Sequence, residues 1–485
     1  MKRTKLITLA TGLMLTFSVS VFADEKPLQI TPEAQAYADK LIQLSKNDQM
    51  AVINELTNIP KKIKKDKASL AGIAEILNSN RLYQPALEIA TVAYQDHPEY
   101  LPAILAMGNA FAGLGNTDEA AAKYEEAINA DPSDKRAYFK FVDIYKNIAP
   151  EVALEKLNVI KEKFPDDPEI NKAMGSIYYN QNKIDDAEKA YQEYFKSIPE
   201  GGDPQAQEDY GIVLFAKKNY QASLAIAEQA LKHDASSLSA NRLKFYNLME
   251  LAETDKAKAQ AGQFFGKFDE KLYNSTDYKY AADLASQTND PQLAVKSYEK
   301  AVKLNPKAPD LYKSLSEAYE AVNQTDSAVA AYMKYGELAN PGALLNYLQA
   351  GKIYYSAAAA LKDGEHDALR KHYINAGDSL FARVSEKAPD SYMGPFWRAR
   401  IQTILDPNNP IESVKSQYEE AYRRMEGKDD SYDGYRKECL VYDAFYYFKK
   451  DQYAASLDAC NKVLAIEPNN SLCKQIKAAI GQLRK

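Results

Sequence analysis

Small and apolar residues recur along this chain in a fixed order, separated by polar breaks. From Leu101 to Asp134 one run carries Met107, Gly108 and Phe111. After the break Gly113-Leu114-Gly115-Asn116-Thr117-Asp118, a second carries Ala120, Tyr124 and Ala127 before Asp131-Pro132. Helical spacing predicts one helix on each side of the break, the break itself a turn, and the proline the end of the second helix. Gly108, Ala120 and Ala127 are small enough to let two antiparallel helices approach closely, while Phe111 and Tyr124 fill the space toward neighbouring helices.

The same order returns as Gly175, Tyr178, Ala187, Tyr191, Tyr194 and Pro199, as Ala282, Ala285, Ala294, Tyr298, Ala301 and Pro306, and as Ser316, Tyr319, Ala328, Tyr332, Tyr335 and Asn340-Pro341. Weaker copies start at Ala74, Gly211, Ala257 and Ala444. Pro98, Pro132, Pro165 and Pro199 lie 34, 33 and 34 residues apart. A helical pattern with this period resembles the tetratricopeptide repeat (TPR) family over roughly residues 67–470. The resemblance implies an all-α fold: a right-handed superhelical solenoid of about eleven antiparallel helix hairpins.

The pattern divides the chain into a leader over 1–23, capping helices over 24–66, a regular array over 67–342, irregular units over 343–436, a last unit over 437–470 and a closing helix over 471–485. Thr31-Pro32-Glu33 is a helix-start signal, so Pro32 to Lys46 and Asp48 to Asn58 are expected to cap the array. A closing helix is needed because the last repeat would otherwise expose its apolar face. The irregular stretch holds extra residues between Gly351 and Gly377, which predict two lengthened helices through Ser356 to Asn375. It also holds Asp406-Pro407-Asn408-Asn409-Pro410 in a turn and a polar link from Glu426 to Asp433, and a bend is expected there.

The leader changes the picture of where the chain works. Lys2, Arg3 and Lys5 precede an apolar run from Leu6 to Phe17 and the small-x-small pattern Val21-Phe22-Ala23. That is the layout of a cleaved secretory signal, the alternative being an uncleaved anchor, and no Cys follows to carry a lipid. The expectation is a chain exported across the inner membrane, in the periplasm, with no transmembrane segment after cleavage. Losing three basic residues leaves 58 Lys and Arg against 67 Asp and Glu, a net charge of −9. Such an acidic chain is a poor match for nucleic acid, which needs a clustered basic face. The densest basic cluster, Lys61, Lys62, Lys64, Lys65 and Lys67, fits a solvated helix junction or an anionic docking patch. Cys439, Cys460 and Cys473 match no metal-binding spacing; they fit one C-terminal disulfide with a thiol left over, or three buried apolar residues.

Catalytic motifs for metalloproteases, serine hydrolases, P-loop or dinucleotide-binding enzymes are missing from the sequence. His97 and His233 fall in turns, and His366 and His372 are not spaced as ligands on one helical face. Neither a metal nor a cofactor is expected, and the chain is read as a non-enzyme. Toroidal helical glycosidases and SusD-like glycan-capturing proteins are the alternative class. They fit poorly with so strict a period, with no lipid-bearing Cys, and with one Trp, Trp397, in the whole chain.

By resemblance, first helices of successive TPR units line a concave groove, and their positions outside the expected core are the candidate partner contacts. These are Asn109, Lys172, Ser176, Tyr179, Glu208, Phe215, Arg242, Tyr246, Lys279, Asp283, Lys313, Glu317, Lys352 and Tyr355. Ile212 and Met249 share that face. Aromatic anchors mixed with both charge signs suit an extended segment or helix of another protein. The family's carboxylate clamp wants Lys one turn before Asn; Leu105 stands there before Asn109, so that mode is not expected.

Overall fold

A computed structural model describes residues 28–198, 203–361 and 366–483. The expected leader, Pro199 and the Gly201-Gly202 pair lie outside the described residues. Those described contain helices, turns and loops and no strand. Two compact units divide the chain at Glu253 and Thr254, a boundary the repeat pattern does not mark.

Unit 1 opens with α1 (Pro32–Asn47), α2 (Gln49–Thr57) and the short α3 (Lys61–Lys64). Five hairpins follow: α4 (Lys67–Ser79) with α5 (Tyr83–Asp96), α6 (Leu101–Gly113) with α7 (Thr117–Ala130), α8 (Lys135–Tyr145) with α9 (Pro150–Lys163), α10 (Pro168–Asn180) with α11 (Ile184–Lys196), and α12 (Pro204–Ala216) with α13 (Tyr220–His233). The unit ends with α14 (Leu238–Glu250). At its start the Thr31 hydroxyl accepts from the Ala34 amide at 3.2 Å, with Pro32 in the first turn. The basic cluster forms α3 and the junction after it. There Ile63 is buried while Lys62 reaches Glu33 at 3.4 Å.

Unit 2 begins with α15 (Thr254–Lys267) and continues as α16 (Ser275–Gln287) with α17 (Pro291–Leu304), α18 (Pro309–Ala321) with α19 (Thr325–Ala339), α20 (Leu344–Ala360) with α21 (Asp367–Lys387), α22 (Met393–Gln402) with α23 (Glu412–Arg423), and α24 (Asp433–Lys449) with α25 (Tyr453–Ile466). The closing helix is α26 (Ser471–Leu483). The extra residues after Gly351 lengthen both α20 and α21, to 17 and 21 residues.

Small residues let the two helices of a hairpin close on one another. A Cβ added to Gly108 would meet the Tyr124 ring at 2.5 Å, and one on Gly175 the Tyr191 ring at 2.8 Å. Where one member of the crossing pair is serine, its hydroxyl bridges the helices: Ser223 donates to Gly211 O at 2.7 Å, Ser316 to Ala328 O at 2.8 Å and Ser456 to Ala444 O at 2.8 Å. A buried hydroxyl is tolerated there because it is satisfied.

The turn after the first helix is the same in most hairpins. One residue takes a left-handed backbone, and the amide after it bonds back five residues, as Asn116 N to Phe111 O at 2.9 Å and Lys183 N to Tyr178 O at 2.8 Å. That is the cap that satisfies the last carbonyls of a helix. Glycine fills it only at Gly115; Arg81, Asn182, Lys218, Asn289, Asn323 and Asp451 hold φ between 56° and 64° elsewhere. A side chain there is strained by roughly 1 kcal/mol. Lys218→Gly is therefore expected to raise the unfolding free energy of its hairpin by about 0.5–1 kcal/mol in urea titration.

Candidate partner-binding grooves

The fourteen candidate positions fall into three groups. Ser176, Tyr179, Glu208, Phe215 and Tyr246 are buried, which corrects the expectation that they face a partner. Neighbouring first helices press together along these positions and enclose them. The Phe215 and Tyr246 rings meet at 6.1 Å between centroids, the Ser237 hydroxyl donates to Glu208, and burial with the nearby Asp209 charge pushes the Tyr179 phenol up to about 12. Ile212 and Met249 are enclosed in the same way.

A second group is half-buried and internally engaged. Lys172 bridges Glu169 at 2.8 Å and Asp203 at 2.7 Å. Lys279 pairs with Asp283 at 2.6 Å, and Asp283 also accepts from the Tyr298 hydroxyl. Arg242 is half-buried on α14.

Of the remaining five, Asn109, Lys313, Glu317 and Lys352 line concave pockets, and Tyr355 packs on Trp397 beside one of them. In unit 2, Lys313 and Glu317 of α18, Lys352 and Ile353 of α20 and Tyr332 of α19 enclose about 270 Å³. Lys313 and Glu317 stand 4.0 Å apart and exposed, a weak pairing. Burial and the Glu317 charge raise the carboxyl of Glu320 at the same pocket. Lys352 pairs with no carboxylate among the described residues. Its ammonium lies 4.7 Å from the centroid of the Trp397 ring on α22, and the Arg400 guanidinium lies 5.0 Å from the same ring. Tyr355 meets that ring edge-on at 5.5 Å, and Phe381 stacks with it at 5.6 Å. Cations held against aromatic faces keep their charge available while the rings offer apolar contact.

In unit 1 a concavity of about 460 Å³ gathers Asn78 of α4, Asn109 of α6, Tyr124 of α7 and Lys140 of α8. The Tyr124 hydroxyl donates to Asn109 Oδ1 at 2.9 Å, leaving the amide NH2 as a donor at the pocket. Asn78 donates to Ala106 O at 2.9 Å, while its own Oδ1 is buried without a partner. Lys146 is held by Asp143 at 2.7 Å, whereas Lys140 meets no carboxylate among the described residues. The pocket thus offers an ammonium and an amide donor to an incoming acceptor.

Residues 105–168, 172–240 and 281–341 each match the tetratricopeptide repeat family model. The chain carries tetratricopeptide repeats in these three regions. TPR arrays are in general protein-interaction scaffolds, typically without catalysis. No curated protein matches the chain. Among solved structures it is similar to the C-terminal part of a TPR repeat-containing protein from Cytophaga hutchinsonii, with 21% identity over 56% of this chain and 98% of that one and a TM-score of 0.40. It is similar to PilF of Pseudomonas aeruginosa, with 18% identity over 46% and 98% and a TM-score of 0.39. It is also similar to yeast Tom70, with 17% identity over 93% and 89% and a TM-score of 0.28.

The three TPR matches take in Asn109, Lys140, Lys313 and Glu317 but stop before Lys352, where the lengthened α20 and α21 begin. Sequence reasoning missed Asn78, Lys140 and Tyr332 as pocket residues and Arg400 as a neighbour of Trp397, and used Trp397 only to argue against a glycan site. One signal was present: Asn78, Asn109 and Lys140 are 31 residues apart, so each step falls about one helical turn short of the repeat and draws a diagonal across successive first helices. No signal marked the Trp397 group, because Lys352, Tyr355, Trp397 and Arg400 are joined across an insertion. Among the described residues no three His, Cys, Asp or Glu side chains gather as a metal site, and no helix is long and apolar enough to cross a membrane. His372 instead contacts Asp326 at 3.0 Å.

Proposed function

We propose that this chain is an exported scaffold that binds an extended segment of a partner protein along the concave first-helix face, with the Lys352–Trp397 pocket of unit 2 as a principal contact. The observation that carries the reading is Lys352: a half-buried ammonium held over Trp397, at the rim of a pocket and without a carboxylate partner among the described residues. It suits an acidic or carbonyl-rich segment whose apolar side chains rest on Tyr355 and Ile353. Binding is by shape and groove contacts, with no bond made or broken. The basic start, apolar run and small-x-small pattern of residues 1–23 support export and a periplasmic site of action. Phe381 and two cations crowd the chain's single Trp, which favours a protein segment over a stacked sugar ring.

The test places a photocrosslinking amino acid at Ser356, on the pocket wall, and in a second protein at the exposed Lys371 of α21, away from it. Irradiation in a cell-envelope extract is expected to yield a discrete adduct from position 356 and none from 371. Lys352→Glu, in a chain that still folds, is expected to cut that adduct about tenfold, as loss of one good contact does. Equal labelling from both positions, or an adduct indifferent to Lys352→Glu, would overturn the groove reading.

A further inference from the structure

All three cysteines are buried thiols, but they do not share one environment. Cys439 on α24 packs among Phe396, Val414 and Tyr418. Cys460 on α25 and Cys473 in the first turn of α26 belong to a different apolar cluster, with Val463, Ile476 and Ile480, where α25 and α26 pack together. Both are fully enclosed, and the two thiols lie near enough for each to shift the titration of the other. Two thiols brought together across a helix pair, with the third in a separate cluster, have a ready product.

We infer that Cys460 and Cys473 are a redox pair that closes to a disulfide and staples the closing helix to the last repeat, leaving Cys439 as the unpaired thiol. The step is an exchange with a donor disulfide such as oxidised glutathione. The Cys473 thiolate attacks one donor sulfur, forming a mixed disulfide and releasing the first donor thiol. The Cys460 thiolate then attacks Sγ of Cys473 and displaces the second. One disulfide forms, and the donor's is reduced to two thiols, which take up the two protons that the protein thiols release.

The site also sets when this happens. Both thiols are fully enclosed and burial raises both, that of Cys460 to about 12, so an oxidant meets no exposed thiolate while α26 is docked. Closure therefore requires α26 to lift from α25 or to meet the oxidant before it docks. A helix held against one side of an array opens more readily than one packed on both. Once closed, the bond removes that opening.

The test uses the full chain. After incubation with oxidised glutathione at pH 8, acid quench and maleimide labelling in denaturant, intact mass is expected to show one label, rising to three after reduction. A non-reduced peptide map should contain the Cys460–Cys473 link, Cys439→Ser should still form it, and Cys460→Ser should not. In the oxidised protein, amides of α26 are expected to exchange at least tenfold more slowly than in the reduced one. Three labels after oxidation, or a link through Cys439, would overturn the pairing. A correct link with unchanged α26 exchange would overturn the staple.

Discussion

Replacing Tyr124 by alanine is expected to destabilise the hairpins around α6 and α7 by roughly 3–5 kcal/mol, the range for deleting a buried aromatic ring. The ring is 2% exposed and lies against Gly108, where no Cβ would fit, so its removal leaves a void at the crossing of the two helices. Tyr124→Phe keeps the ring and loses only the bond to Asn109, about 1 kcal/mol. In a repeat array each unit leans mainly on its neighbours. Hydrogen exchange should therefore show the Ala loss concentrated in α6 to α9, with unit 2 amides unchanged. A drop of less than 1 kcal/mol in urea unfolding of that segment would mean the crossing does not depend on the ring.

The second large effect is a pH dependence of unusual sign. Asp209 is 2% exposed, and burial pushes its carboxyl up to about 7. Bonds from Gln205 at 2.9 Å and the Tyr191 hydroxyl at 3.4 Å work against that shift, and the Glu208 and Asp203 charges add to it. Asp443 in unit 2 is also raised to about 7, by burial and the Glu419 charge against Lys415 and Lys462, and its Oδ1 has no hydrogen-bond partner.

An unfolded Asp titrates near 4, so between about pH 4 and 7 the folded chain holds a proton at each site that the unfolded chain has lost. Stability from these groups is present below pH 4 and falls as pH rises toward 7, by about 1.4 kcal/mol per pH unit per site. Asp209→Asn mimics the protonated form. It is expected to stabilise unit 1 by on the order of 2–4 kcal/mol at pH 8 and to change little at pH 4. Urea titrations of both proteins at the two pH values give the comparison, and a variant less stable than the parent at pH 8 would sink the assignment.

The repeat was legible because each hairpin is built from local separations. Gly108 faces the hairpin partner a few residues beyond Ala120, Ser316 finds Ala328, and the prolines close the units, all within one repeat. The caps were legible for the same reason, since Thr31 bonds an amide three residues away. The turn chemistry was not. Arg81, Lys218 and Asp451 carry no left-handed signature and take that conformation because the packed hairpin imposes it.

The candidate site was legible in part. Asn109, Lys313, Glu317 and Lys352 do stand at pockets and Tyr355 packs on Trp397, whereas Phe215, Tyr246, Tyr179, Ser176 and Glu208, chosen by the same register, are buried. By itself, then, the sequence determined an all-helical array of TPR hairpins and which face of each helix meets its own partner, because those contacts repeat at short, fixed spacing. Only the tertiary structure decided which first-helix residues stay open and which carboxylates are buried. It alone also brought together Lys352 with Trp397 and Cys460 with Cys473. Each of those outcomes depends on the size and reach of side chains on neighbouring helices, which the local pattern leaves free to vary.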